Sequence, residues 1–275
     1  AQLALTEPYF HRGLDSSATD LARRANNRSQ APLAFIHIPK TGGSAVEAAG
    51  LASGYHWGNF VDDWPGGHCP YGKWCERELP CHTESRCEDL REKKCGQHAC
   101  NSSWLPCSPW HLPPIEFARR GLAAPAYNAS TDDTFCVVRN PYDRVMSELV
   151  FEEAQAAIRN GSKQRCDRSW MKRALLSRME QMNWDPNAAD CHWLPQWMYV
   201  DPHATAKMAC GIILRFEDLE AGFRELMFRR GIHAEVTVEK LNGGCALDGD
   251  DHDSMSKHLI RRMYERDFLR FGYPM

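Results

Sequence analysis

Residues Phe35 to Ser44 read FIHIPKTGGS: an apolar run that breaks at Pro39 into Lys-Thr-Gly-Gly-Ser and then passes into a helical pattern. Leu33 to Ile38 has the short apolar character of a buried parallel strand, and Ser44 to Ala52 (SAVEAAGLA) has helical composition with a hydroxyl near its start. The loop therefore joins a strand to a helix. Gly42 and Gly43 permit a tight turn and a close approach of backbone N–H groups to an anion, and the helix N-terminus attracts negative charge. Lys40 adds a mobile positive charge, and Thr41 and Ser44 add hydroxyl donors. An ordinary glycine turn is the simpler alternative, against which the lysine and the two hydroxyls weigh.

The loop is P-loop-like without being the loop of a nucleoside triphosphatase. That motif, G-x-x-x-x-G-K-[ST], places its lysine after the glycines and works with a magnesium ion held by a later strand-end acid. Here Lys40 precedes Gly42, and His37 stands where the first glycine would be. The other strong strand pattern, Thr134 to Val138 (TFCVV), ends in Arg139. A base at that position suits a second phosphate, and no metal is expected.

Arg139 opens a second constellation, RNPYDRVMSELVFEEA. Asn140 is a capping residue, Pro141 fits the first helical position and Asp143 lies in the first turn, so three features support a helix start. Tyr142, Val145, Met146 and Leu149 follow helical spacing and form the core stripe, with Ser147 beside it. A strand-end Arg139 and a helix-face Ser147 can grip one phosphate together; an Arg139–Asp143 ion pair is the structural alternative.

These two segments resemble the 5′-phosphosulfate and 3′-phosphate motifs of sulfotransferases that use 3′-phosphoadenosine 5′-phosphosulfate (PAPS). The resemblance runs from about Ala31 to the C-terminus. It implies that Lys40, Thr41, Gly42, Gly43 and Ser44 hold the 5′ phosphosulfate, that Arg139 and Ser147 hold the 3′ phosphate, and that the product is 3′,5′-adenosine bisphosphate. In layout the chain is most similar to the Golgi carbohydrate enzymes, the heparan sulfate and uronyl 2-O-sulfotransferases. Those carry a His, then an acidic-Phe-Ala step, then the 3′-phosphate strand. The corresponding residues are His111, Ile115-Glu116-Phe117-Ala118 and the strand at Thr134, which implies His111 as catalytic base. The chain departs from that pattern at Pro109, where the family has the first His of a His-x-His pair, and at Pro113-Pro114.

The implied chemistry is in-line sulfuryl transfer to a hydroxyl of a glycan or polysaccharide. A near-neutral imidazole suits removal of the hydroxyl proton, and Lys40 with the loop N–H groups suits the charge that develops on the leaving group. Tyrosyl-peptide or small-molecule sulfation, and a catalytically inactive nucleotide- or glycan-binding protein, are the alternatives. Of the other histidines, His37 and His56 read as structural. His192, in Cys191-His-Trp-Leu-Pro-Gln196, resembles a His-x-x-Pro-Gln element of several carbohydrate sulfotransferases near acceptor or cofactor.

The rest of the chain supplies scaffold. Helical spacing is read over Ser169 to Met182 and Asp218 to Arg230, with Gly231 as a stop, and over about Ser254 to Phe268; Cys210 to Phe216 is a further strand. Strand, loop and helix in alternation predict a three-layer α/β/α fold with a central parallel sheet, and place the cofactor at the carboxyl ends of the strands. Residues 241–249 form a glycine-rich connecting loop; similar late loops place Asn242 or Lys257 beside the nucleotide.

The 275 residues, 43% hydrophobic and 25% charged, fit one domain over 1–275, and a net charge of −3 argues against nucleic acid as a partner. The cluster Lys163, Arg165, Arg168, Lys172 and Arg173 reads as a solvated helix face, with an anionic glycan as the alternative.

Cysteine usage is more informative than charge. Seven of the twelve cysteines fall between Cys69 and Cys107 without a C-x-x-C pair, which predicts a disulfide-stapled insertion over 62–110. An odd number sends one of them outside, to Cys166, Cys191, Cys210 or Cys245, or leaves it free; Cys136 is expected as a small core residue. Sequons at Asn27, Asn101, Asn128 and Asn160 point to a secretory lumen. The resembled enzymes are type II Golgi membrane proteins, which implies a lumenal portion whose anchor lies outside these residues.

Overall fold

A computed structural model describes residues 33–55, 57, 107, 111–119, 133–201, 209–238, 245 and 247–275. Three parallel strands, β1 (Ala34–Ile36), β2 (Thr134–Val138) and β3 (Ile212–Arg215), form a sheet in that order. Phe35 is opposite Phe135, and Cys136 opposite Ile213. The helices are α1 (Gly43–Ala52), α2 (Pro114–Arg119), α3 (Pro141–Asn160), α4 (Arg168–Trp184), α5 (Trp197–Val200), α6 (Leu219–Arg230) and α7 (Ser254–Phe271). None of the described helices is long and apolar enough to cross a membrane.

Alternation along the strands divides the core into two layers. Phe35, Phe135, Val137 and Leu214 pack with Val46 and Ala49 of α1 and with Phe223 and Leu226 of α6. On the opposite face Ile36, Cys136 and Val138 pack with Val145, Met146 and Leu149 of α3 and with Ile260 and Phe268 of α7. Both faces are covered, as the strand–helix alternation requires, which gives the expected α/β/α arrangement around a parallel sheet.

Local chemistry sets the ends of these elements. The Asn140 carboxamide accepts from the Tyr142 N–H at 3.0 Å with Pro141 behind it, and Asp167 and Asp253 cap α4 and α7 in the same way. Gly161, Gly231 and Gly272 end α3, α6 and α7 in the left-handed conformation.

Among the described residues, three disulfides join segments that are distant in sequence. Cys136 is not a free core residue: it is bonded to Cys210, with Cα atoms 6.0 Å apart. Cys210 lies two residues before the start of β3, the strand that pairs with β2, so sheet formation brings the two thiols within disulfide reach. Cys166 is bonded to Cys245, and Cys107, from the end of the insertion, pairs outside it with Cys191. The rest of the insertion, together with His56 and Asn242, lies outside the described residues. In the basic cluster Arg165 pairs with Glu153, Arg168 with Asp251 and Lys172 with Asp253, as a solvated face would.

Candidate active site

The loop after β1 takes a conformation that its glycines permit. Gly42 has φ +90, and a Cβ there would lie 2.9 Å from the Phe216 ring. A Cβ on Gly43 would lie 2.7 Å from Cε1 of His37. Lys40 is left-handed too, at φ 67, a conformation uncommon for a residue with a side chain. Thr41 is fully buried and its hydroxyl donates to the Ile38 carbonyl at 2.8 Å, so its side chain shapes the loop from within. Ser44 is exposed on the first turn of α1, where Ala45 and Val46 donate to the Gly42 carbonyl and the positive end of the helix dipole faces outward.

The two segments proposed from the sequence meet. Arg139 donates from Nη1 to the Lys40 carbonyl at 3.4 Å, and its guanidinium lies 4.1 Å over the Phe216 ring that also abuts Gly42. Its Nε is buried and has no hydrogen-bond partner. Asp143 accepts from the Gly249 N–H at 2.7 Å and so helps to seat the 249–251 turn against α3. Ser147 is half-buried two turns into α3. Lys257 pairs with Asp250 at 3.2 Å and lies 5.5 Å from the Tyr142 ring centre.

Burial lowers the proton affinity of both cations. Lys40 lies below the ordinary lysine range because of desolvation, with Arg139 and Arg144 adding to the effect and Glu148 and Glu152 opposing it. Arg139 is lowered by burial as well, against the pull of Asp143 and Glu217. A desolvated ammonium, a buried guanidinium nitrogen with no hydrogen-bond partner among the described residues and a glycine loop with no room for a Cβ are features that suit an anionic ligand.

Beside this cradle three histidines are each tied to a carboxylate. His37 Nδ1 is 2.7 Å from Glu47, His111 Nδ1 is 2.8 Å from Asp190, and His192 Nδ1 is 2.9 Å from Glu148. The His111 ring lies 5.6 Å from His37 and 4.4 Å from His192, edge-on to the latter. His37 touches Gly43 on its other side. A continuous line of contacts thus runs from the glycine loop through His37 to His111 and His192, and returns to Lys40 through Phe151. Phe151 stacks on His192 at 5.9 Å and carries the Lys40 ammonium at 3.9 Å.

Burial holds the His111 imidazole down at about 3, against the Asp190 hydrogen bond that raises it, so the ring is neutral at ordinary pH. An ionised carboxylate only accepts, so the proton of the neutral ring sits on Nδ1 and the basic lone pair on Nε2. Burial acts to raise Glu148, but His192, Lys40 and Arg144 together outweigh it and hold the carboxyl below its ordinary range.

Several residues complete the site through partners that no local sequence signal indicates. Arg144 is buried and donates from Nε to the Pro39 carbonyl at 2.9 Å and from Nη2 to the His192 carbonyl at 2.7 Å, joining the loop to the His192 segment. Gln196 accepts from the Arg139 N–H and donates to the Arg139 carbonyl, both at 2.8 Å. Asp267 on α7 receives the N–H groups of Gln196 and Trp197, each at 2.9 Å. Asp190 and Glu148 stand 79 and 44 positions from their histidine partners, beyond the reach of any spacing rule.

Comparison with known proteins returned no significant match among curated proteins or solved structures. The family profile described as the sulfotransferase family matches residues 28–274, nearly the whole chain. The chain therefore belongs to the sulfotransferase family and is a sulfotransferase enzyme.

Proposed function

We propose that this enzyme transfers the sulfuryl group of PAPS to a carbohydrate hydroxyl, with His111 as general base. The observation that carries the reading is the contact line from Gly43 through His37 to His111: it sets an oriented imidazole beside an anion cradle.

The donor site fits the chemistry of the residues. Lys40, Thr41, Gly42, Gly43 and Ser44 would hold the 5′ phosphosulfate, and Arg139 with Ser147 the 3′ phosphate. When bound, the nucleotide supplies the activated sulfuryl group. Lys40 and the α1 N-terminus stabilise negative charge on the leaving side, a role in which preorganised donors contribute most. Asp190 holds His111 as the Nδ1–H tautomer, and Nε2 takes the acceptor proton as the hydroxyl oxygen attacks. Asp190 then stabilises the imidazolium, which offsets the low basicity that burial imposes on the ring. His192 and Phe151 form the adjoining wall, where a sugar would approach.

A carbohydrate acceptor and a Golgi lumenal setting, with the chain anchored through a segment outside these residues, are part of the same proposal. Support comes from the three disulfides, which belong to an oxidising compartment, and from the four sequons.

The test has two stages. Adenosine 3′,5′-bisphosphate should raise the melting temperature of the full chain, and radiolabelled sulfate should then pass from PAPS to a member of a glycan panel. His111→Ala should keep nucleotide binding and lower turnover by roughly 10²–10⁴-fold. Binding without transfer to glycans, tyrosyl peptides or small hydroxyl compounds would leave a nucleotide-binding protein. Full turnover in His111→Ala would remove the base.

A further inference from the structure

We infer that the Cys107–Cys191 disulfide and the Tyr199 hydroxyl form a clamp that positions Asp190 against His111 and so sets the tautomer of the base. The inference rests on the reading of His111 as that base.

Ala189, Asp190 and Cys191 have φ values of 53, 56 and 64, three successive non-glycine residues in the left-handed region. Side chains disfavour that region, and strain of this kind persists only where the surroundings over-determine the backbone. Two constraints converge on this segment. The disulfide joins Cys191 to Cys107, four residues before His111 in the sequence. Tyr199 is fully buried, and its hydroxyl lies 2.6 Å from the His111 carbonyl and 3.4 Å from the Cys191 carbonyl.

Both constraints bridge the same two strips of chain, the one bearing His111 and the one bearing Asp190. Local bonds shape the second strip: the N–H of Cys191 donates to Asn187 and that of His192 to Ala189, both at 3.1 Å. These bonds do not reach the His111 strip. Beside the His111–His192 ring contact, the crosslink and the tyrosine hold the imidazole and the carboxylate in register, and Cys107, Cys191 and Tyr199 are positioning residues that act through Asp190.

The experiment uses the full chain in three forms: Cys107→Ser with Cys191→Ser, the same pair with Ala189→Gly added, and Tyr199→Phe. Nitrogen-15 NMR of labelled histidine reads the His111 tautomer, with the signal assigned by its loss in His111→Gln. Binding of adenosine 3′,5′-bisphosphate and sulfate transfer from PAPS to desulfated heparin are measured alongside.

The wild type should show the Nδ1–H form. Without the crosslink the tautomers should mix and turnover should fall about 10- to 100-fold, as expected for a misplaced catalytic group, while nucleotide affinity stays within about 2-fold. Ala189→Gly should restore part of the Nδ1–H population, because glycine adopts a positive φ without strain. Tyr199→Phe should mix the tautomers to a smaller extent. An unchanged tautomer in both the crosslink-free and Tyr199→Phe proteins would overturn the inference. If the crosslink-free protein fails to fold, an unchanged tautomer in Tyr199→Phe alone overturns it. Full turnover in His111→Gln would instead defeat the base assignment, and the tautomer would still report on the clamp.

Discussion

Gln196 holds the backbone of Arg139 from both sides: its side-chain oxygen accepts the Arg139 N–H and its amide nitrogen donates to the Arg139 carbonyl, each at 2.8 Å. Arg139 directly follows β2 and precedes Asn140, the cap of α3, at the point where the chain leaves the sheet. The glutamine thus fixes the direction in which the strand-end guanidinium emerges. Its own backbone is held by Asp267, so α7 is coupled to the phosphate-binding strand end through two buried side chains.

Gln196→Ala should remove both bonds and strand two backbone groups, at a cost of about 2–4 kcal/mol in unfolding free energy. Gln196→Glu should be worse than its size suggests, because a carboxylate keeps the acceptor role but repels the Arg139 carbonyl. Denaturant melts check the first effect. Affinity for adenosine 3′,5′-bisphosphate relative to the 5′-monophosphate checks the second, since a displaced Arg139 should weaken the bisphosphate selectively.

Gly43→Ala places a methyl 2.7 Å from the His37 ring, which is held at Nδ1 by Glu47 at 2.7 Å. The ring cannot retreat without breaking a buried pair. A destabilisation of about 1–3 kcal/mol is expected, together with weaker nucleotide binding, whereas Ser44→Ala, at an exposed position, should leave stability nearly unchanged. Thermal melts with and without nucleotide separate the two.

The buried His111 makes the fold acid-sensitive. Its value is about 3 in the native protein against an ordinary 6.5, so between these limits the unfolded chain holds a proton that the native chain does not. The contribution of this ring to stability is complete above pH 6.5 and is lost as pH falls toward 3, with a slope of up to about 1.4 kcal/mol per pH unit. In His111→Gln this component should vanish, giving a shallower loss of stability between pH 6.5 and pH 4 in urea titrations. An identical slope in the two proteins would refute it.

Phe151→Ala should act on the acceptor side. The ring supports both the Lys40 ammonium and the His192 imidazole, and it is 38% exposed. Loss of the cation–π contact is worth about 0.5–2 kcal/mol. Steady-state kinetics should show KM for the carbohydrate rising more than KM for the donor.

The FIHIPKTGGS stretch and the RNPYD turn determined the architecture, because strand alternation, helical spacing, caps and glycine turns are set within a few residues of backbone. From them follow two candidate anion-binding segments and the core stripe of α3, and with the strand read at Cys210 to Phe216 the parallel sheet. Tertiary structure alone decided which carboxylate meets which histidine, that Gln196 and Asp267 brace Arg139, and that Cys136 pairs with Cys210. Apart from His37 and Glu47, 10 positions apart, those partners lie 44 to 79 positions apart in sequence, and no local period encodes a contact between them. Such contacts form only when the sheet and its covering helices fold the chain back on itself, and burial then gives each polar group a strong reason to find its partner.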